Sequence, residues 1–218
     1  MTSKSFFLPP ALHEYLLDHS EPPDAVLRDL MRETRALGDI AVMQIAPEQG
    51  AFLTLLARIA RARNAVEVGT FTGYSALCIA RGLAADGKLL CCDVSEEWTA
   101  VARRYWERAG VAGRIALKLA PALDTLRALP TVPSIDFAFL DADKENYIAY
   151  YEELVPRLAA GSVLLADNVF WNGAVVDRAA SDPTTEAIRA FNAHVAQDAR
   201  VQKVMLPIAD GLSLIYKP

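Results

Sequence analysis

From residue 64 onward the chain alternates short apolar runs with amphipathic stretches at helical spacing, and no other feature constrains its fold as tightly. Ala65-Val66-Glu67-Val68 reads as a strand, residues 74–84 as a helix and residues 88–92 as a second strand. Further strands are expected near 115–119, 135–140 and 162–166, with helices around 146–158 and 184–196. Strand and helix alternation in such short units implies a parallel sheet covered by helices on both faces. The end of the chain departs from this rhythm. Residues 201–206 and 212–216 flank Asp210-Gly211, a strong hairpin signal that adds an antiparallel strand at or near the sheet edge. A doubly wound α/β sheet with a closing hairpin is a variant of the nucleotide-binding architecture, whose ligand crevice lies outside the carboxyl ends of the strands.

The first 46 residues are helical and broken by Pro9-Pro10 and Pro22-Pro23, with Leu27, Leu30, Met31, Thr34 and Leu37 on one face before Gly38. That face must pack on the domain or on a second subunit. From Pro47 a stronger helix places Phe52, Leu53, Leu56, Ile59 and Ala60 at helical spacing. Ser95 reads as the N-cap of a later helix whose buried stripe is Trp98, Val101, Ala102, Tyr105 and Ala109. With 218 residues, 53% of them hydrophobic, the expectation is one domain: an N-terminal helical extension over 1–46 and a ligand-binding core over 47–218.

Lys plus Arg number 22 against 27 Asp plus Glu, and a net charge of −5 offers no electrostatic footprint for nucleic acid or an anionic membrane. No uncharged apolar run approaches the ~18 residues of a spanning helix, and the first ten residues lack a secretory signal pattern. The expected setting is soluble and cytoplasmic. Cys78, Cys91 and Cys92 fit neither a redox pair nor a zinc spacing, so they read as reduced core thiols. His13, His19 and His194 form no ligand set and read as surface or interface residues.

The strand ends carry the chemistry. Glu67-Val68-Gly69-Thr70-Phe71-Thr72-Gly73-Tyr74-Ser75 closes the first strand with a glycine turn but without Gly-x-Gly-x-x-Gly. A buried Glu67 there repels a diphosphate and suits a cationic or amino-bearing ligand such as a sulfonium amino acid. Asp93, at the end of the second strand, suits ribose hydroxyls and equally suits the start of the next helix. Ala122, after the third strand, leaves room for a flat adenine, although Pro121-Ala122 also simply begins a helix. The fourth and fifth strands end in Asp141-Ala142-Asp143-Lys144 and Asp167-Asn168. Adjacent strands bring Asp141, Asp167 and Asn168 to one rim as all-oxygen donors, which favour Mg²⁺, Mn²⁺ or Ca²⁺ over zinc; solvated turn residues are the alternative.

Met43-Gln44-Ile45-Ala46-Pro47-Glu48-Gln49, the Glu67–Ser75 turn, Asp141-Ala142-Asp143-Lys144-Glu145-Asn146-Tyr147, Asp167-Asn168-Val169-Phe170-Trp171-Asn172-Gly173 and Met205–Gly211 closely resemble the cation-dependent O-methyltransferases of the caffeoyl-CoA type, relatives of catechol O-methyltransferase. The resemblance spans residues 43–216 and implies a class I S-adenosylmethionine-dependent methyltransferase fold of Rossmann-like form, with a mostly parallel seven-stranded sheet. It implies donor contacts at Ile45, Glu67, Gly69, Thr70, Tyr74 and Ser75, ribose at Asp93, adenine near Ala122 and the methionine portion near Asp143. It further implies a divalent cation, Mg²⁺ first among the candidates, on Asp141, Asp167 and Asn168. Lys144 then lies beside the acceptor hydroxyl as a candidate general base, or else balances the neighbouring carboxylates. Asn172 lies near the acceptor, and Trp171 serves as an aromatic wall beside it or as core. In this family the N-terminal segment and the loop after the fifth strand shape the acceptor site.

The reaction this implies is in-line methyl transfer from the sulfonium to one hydroxyl of a vicinal aromatic diol, a catechol, caffeoyl or flavonoid-like phenolic, by a homodimer. Phenols titrate near ~10 in water, so a cation and Lys144 need supply only a modest shift, with alignment adding about 7–11 kcal/mol. The rival readings are a nicotinamide-dependent oxidoreductase, which the missing three-glycine fingerprint disfavours, and a non-catalytic nucleotide-binding dimer module.

Overall fold

A computed structural model describes residues 8–218. Residues 1–7 of the expected N-terminal extension lie outside the described residues. The extension contributes α1 (Pro10–Asp18), α2 (Ala25–Arg35) and a short 3₁₀ segment, Gly38–Met43, before α3 (Pro47–Ile59). Asp24 caps α2 by accepting the Leu27 N–H at 2.9 Å, which fixes where the helix begins. Its Leu27, Leu30 and Thr34 are buried as the spacing predicts, whereas Leu37 lies past the helix end and is exposed.

Among the described residues the sheet has seven strands: β1 (Asn64–Val68), β2 (Lys88–Asp93), β3 (Ile115–Leu119), β4 (Ile135–Leu140), β5 (Leu158–Asp167), β6 (Gln202–Leu206) and β7 (Leu212–Tyr216). Their order is β3-β2-β1-β4-β5-β7-β6; β1 to β5 pair in parallel, and β7 runs antiparallel to both β5 and β6. This is the mostly parallel sheet with a C-terminal hairpin read from the sequence. The connecting helices are α4 (Tyr74–Gly82), α5 (Glu96–Arg108), α6 (Ala122–Ala128), α7 (Tyr147–Leu154) and α8 (Pro183–Gln197).

Period-two alternation sends neighbouring residues of each strand to opposite cores. Ala65, Phe137, Phe139 and Leu165 join α2 to α5 on one face, through residues such as Leu30, Leu53, Leu77 and Tyr105. Val66, Val68, Ala138, Leu140 and Leu164 join α6 to α8 on the other, through Leu126, Tyr151 and Phe191. The stripe of α3 is rotated from its expected position. Gly50, Leu53 and Ala57 are buried and Ile59 is 77% exposed, because α3 packs tightly on α4, with Thr54 donating to the Cys78 carbonyl at 2.9 Å. The stripe Gly38–Ile59 is long and apolar enough for a membrane span by composition alone, yet Gln44 and Ala46 are extended and divide it into the 3₁₀ segment and α3.

In α5, Ser95 caps as expected, while the fully buried residues are Thr99, Ala102, Tyr105 and Trp106 rather than Trp98 and Val101. Trp106 is drawn inward by a hydrogen bond from its ring nitrogen to the Gly73 carbonyl at 3.2 Å. The helix expected to reach Leu158 stops at Leu154, because Pro156 lacks an N–H to continue it, and β5 begins four residues earlier than predicted. The three cysteines are free and buried.

The hairpin turn before β7 reaches back to the end of β5. Val169 N–H donates to the Gly211 carbonyl at 3.2 Å and Phe170 N–H to the Asp210 carbonyl at 3.1 Å. Gly211 has φ +86°, and a Cβ there would lie 2.1 Å from the Phe170 ring. Gly211→Ala is therefore expected to destabilise the fold by about 2–4 kcal/mol, combining left-handed strain with overpacking; urea unfolding of the variant against wild type measures it.

Candidate functional site

The strand order reverses between β1 and β4, so the crevice opens where β1, β4 and their neighbours end. At this point the backbones nearly touch. Gly69 has φ +91°, and a Cβ on it would stand 1.8 Å from the Asp141 carbonyl oxygen, so only glycine allows the approach. Gly69 N–H donates to the Cys92 carbonyl at 3.0 Å and Asp141 N–H to the Val68 carbonyl at 2.8 Å, tying three strand ends together.

On the β1–β2 side, Glu67 is fully buried beside Cys91, its neighbour in register. Its Oε2 accepts from the Thr70 hydroxyl at 3.1 Å, while Oε1 has no hydrogen-bond partner within the protein. Burial pushes its carboxyl up to about 8, opposed by Ser75, Cys91 and Thr70 and reinforced by Asp141. Such a group rewards a ligand that brings a positive or hydrogen-donating end to the turn. Asp93 Oδ2 accepts the N–H groups of Thr70 and Phe71 at 2.9 and 2.8 Å, and Oδ1 accepts that of Ser95 at 2.8 Å. These bonds hold Phe71 at φ +50°, a strained position for a bulky residue. Asp93 thus shapes the turn and opens α5, and of the roughly four acceptor sites of a carboxylate three are in use.

Ile45 is buried just ahead of α3, and Ala122 opens α6 with 8% exposure. Tyr74 opens α4 beside the glycine turn, with its ring packed in the core against Gly50.

On the β4–β5 side, Asp141, Lys144 and Asp167 converge. Asp167 is buried, and desolvation together with Asp141 raises its carboxyl to about 7, with Lys144 acting in the opposite sense. Lys144 is 8% exposed, unlike a solvated surface lysine. Its Nζ donates to Asp141 Oδ1 at 2.9 Å and to the Tyr147 hydroxyl at 2.6 Å. Tyr147 in turn shares its hydroxyl proton between the Leu140 carbonyl at 3.3 Å and the Asp167 carbonyl at 3.2 Å, bracing the ends of β4 and β5. Buried Gln49 lies close enough to Asp167 to favour its charged form, without closing a hydrogen bond of normal geometry through its amide nitrogen.

Asn168, at φ +58°, donates its N–H to Asp167 Oδ1 at 2.8 Å. Trp171, Asn172 and Gly173 also lie at positive φ, values that cost about 1–2 kcal/mol for each non-glycine residue. Asp210 secures them: its Oδ1 accepts the Asn172 N–H at 2.7 Å, and its carboxylate also meets the Asn168 side chain. Trp171 is half-buried against the α6–α8 core, Asn172 is exposed, and Asp143 is exposed at the rim, accepting from the Tyr150 hydroxyl at 2.6 Å.

Tyr147, Gln49 and Asp210 were given no role from the sequence. The i, i+3 spacing of Lys144 and Tyr147 on one helical turn was the available signal for the first; nothing local marks Gln49, and Asp210 reads only as a hairpin residue. Among the described residues no three His, Cys, Asp or Glu side chains gather as a metal cluster; the candidate cation donors are two carboxylates and one amide.

The sequence profile of the O-methyltransferase family matches residues 17–218. The chain belongs to the O-methyltransferase family. This O-methyltransferase is 37% identical over 207 residues to "Probable caffeoyl-CoA O-methyltransferase 1" of Dictyostelium discoideum, covering 93% of this chain and 90% of that protein. It is 39% identical over 218 residues to "Catechol O-methyltransferase domain-containing protein 1" of Mus musculus, covering 96% and 82%. The crystal structure of an O-methyltransferase from Bacillus cereus in complex with SAH superposes with a TM-score of 0.87 at 33% identity, over 95% of this chain and 97% of that one. The fold is therefore the class I methyltransferase fold, and the oxidoreductase and non-catalytic readings fall away.

The buried acids set a pH dependence. Glu67 and Asp167 bind protons more tightly folded than unfolded, where they titrate near 4.5 and 3.8, so the folded state holds more protons in between. Their contribution to stability is whole below those values and is lost as pH rises towards 8. The ligand-free O-methyltransferase in chelator is expected to melt at progressively lower temperature from about pH 5 to about pH 8. Glu67→Gln should flatten that slope in a pH series of thermal melts; an unchanged slope would refute the assignment to Glu67.

Proposed function

We propose that this O-methyltransferase transfers the methyl group of S-adenosylmethionine to one hydroxyl of a vicinal aromatic diol, with a divalent cation, Mg²⁺ first among the candidates, held by Asp141, Asp167 and Asn168. The observation that carries the reading is the acidic pair of part-buried Asp141 and buried Asp167, opposed by Lys144 on the crevice side where β4 and β5 end. Oxygen donors of this kind fit a hard cation, which would offset the burial and the Asp141 repulsion that raise the Asp167 carboxyl. The SAH complex of the Bacillus cereus relative and the names of the caffeoyl-CoA and catechol relatives support donor and acceptor class respectively.

When bound, the donor supplies an electrophilic methyl and the cation supplies Lewis acidity and a template for two adjacent oxygens. The rest belongs to the chain. Glu67 and Asp93 receive the hydrogen-donating parts of the donor beside the Gly69 turn, with Ile45, Ser75 and Ala122 around it and Asp143 at the rim. Asn172, its N–H held by Asp210, lies near the acceptor on the loop after β5 with Trp171 beside it, and Asp210 also steadies the Asn168 side chain for the cation. Lys144, braced by Tyr147, takes the proton of the acceptor hydroxyl. Exclusion of water and alignment of oxygen, carbon and sulfur supply more of the rate than proton transfer, about 7–11 kcal/mol for a well-oriented pair. The enzyme acts as a homodimer in the cytoplasm, with exposed Leu12, Tyr15 and Leu55 of α1 and α3 offering apolar surface to the second copy.

Methylation assays across vicinal diols, with Mg²⁺ and with chelator, test this reading. Turnover is expected only on diols and only with cation; full activity in chelator would overturn the cation role. Asp167→Ala is expected to remove cation-stimulated turnover by at least about a hundredfold. Lys144→Met should lower kcat by about 10²–10⁴ with donor-product binding retained in calorimetry, and wild-type turnover in that variant would end the base assignment.

A further inference from the structure

Between β5 and α8 runs a connection, residues 168–182, whose only regular element is the 3₁₀ turn at Trp171–Val176. A stretch of this length has many backbone carbonyls with no ladder to join. One side chain takes four of them. Arg189, on α8 and one-quarter exposed, donates from Nε to the Val175 carbonyl at 3.0 Å, from Nη1 to that of Ala180 at 2.8 Å, and from Nη2 to those of Ala174 at 2.8 Å and Asp177 at 2.5 Å. Nη1 also meets Glu186 Oε1 at 2.5 Å, one turn earlier on the same helix. Asn192, one turn later, donates from Nδ2 to the Val169 carbonyl at 2.8 Å, at the root of the same connection. The planar fork of a guanidinium, with five N–H groups in fixed directions, suits such a spread of acceptors, and an ammonium does not reproduce it.

We propose that Arg189, assisted by Asn192, is the positioning residue that sets the shape of the Ala174–Ala180 segment and through it which acceptor the enzyme selects. The proposal rests on the reading that the loop after β5 walls the acceptor site. The connection leaves directly from Asp167 and Asn168 and passes through Trp171 and Asn172 before it reaches Ala174, so the Ala174–Ala180 segment continues the same wall away from the reacting hydroxyl. The two ends are held differently. Asp210 fixes the strained Asn168–Gly173 part from the hairpin, whereas Arg189 fixes the following residues from α8. The Ala174–Ala180 half is therefore adjustable without disturbing the carboxylates. Val176 at its crest is 83% exposed, an apolar side chain that an aromatic acceptor can cover.

The test uses Arg189→Lys, which keeps the charge and loses the fork, in the whole chain with Mg²⁺: S-adenosylmethionine and a panel of vicinal diols for turnover, and S-adenosylhomocysteine for binding and hydrogen exchange. Amide hydrogen exchange over residues 174–180 is expected to accelerate by about tenfold or more, with the Gly69 turn unchanged. Acceptor KM should rise by a similar factor and the ranking of diols should change, while kcat for a small catechol and S-adenosylhomocysteine affinity stay within about twofold. Glu186→Gln, which removes only the anion beside Nη1, is the milder variant should Arg189→Lys fold poorly. It should shift the same readouts in the same direction by up to about fivefold. Unchanged exchange over 174–180 overturns the proposal, and so does faster exchange with unaltered acceptor KM and ranking. A wild-type enzyme that binds S-adenosylhomocysteine but methylates no diol would instead reject the acceptor reading, and the exchange rates would still decide whether Arg189 holds the segment.

Discussion

The close passage of Gly69 over the Asp141 carbonyl is the contact on which the rest of the site depends. The two residues end adjacent parallel strands whose connections leave in opposite directions, so the crevice is as deep as the backbones allow. Any side chain at 69 would force the strand ends apart. With them together, the glycine turn, the Asp93 carboxylate that holds it and the Asp141–Lys144 pair lie along one continuous rim. Period-two geometry then decides what faces the crevice: Glu67 lies on the face of the α2–α5 core with Cys91, and the strand spacing places Asp141 and Asp167 in the same phase.

That arrangement loads acid into a dry region. Glu67 is desolvated with one oxygen unsatisfied, and Asp167 is desolvated near a second carboxylate. A fold optimised for stability alone would put apolar residues at these positions, since unpaired buried charge is among the costliest features a core can hold. Lys144, held by hydrogen bonds to Asp141 and Tyr147, offsets part of the Asp167 cost by its charge. The remainder holds both carboxyls towards their protonated forms, so a ligand that brings positive charge or hydrogen donors to the crevice relieves it.

The strands were legible as short, mostly apolar runs: β1 and β4, nearly all buried, and even the exposed edge strand Ile115–Leu119 fall where the pattern puts them. Helix ends and helix faces were less so. The rotation of α3 and the inward turn of Trp106 are set by partners on other elements, Cys78 and Gly73, which periodicity within one helix does not see. The same limit governs the site. Asp141, Lys144 and Asp167 stand at strand ends, where topology alone brings them together. Tyr147, Gln49 and Asp210 act through contacts between segments that are distant in sequence, and the Tyr74 ring turned out to fill a gap left by Gly50.

The hairpin turn at Asp210–Gly211 carries a consequence for the order of events during synthesis. It braces Asn168 and Asn172, and β7 must enter between β5 and β6 to deliver it. Every other part of the crevice is encoded earlier. A chain still on the ribosome with residues up to about 200 exposed has its glycine turn and both carboxylates but an open edge at β5, an apolar strand end without its antiparallel neighbour. Competence and protection from edge-to-edge association therefore arrive in the same step, when the last hairpin docks.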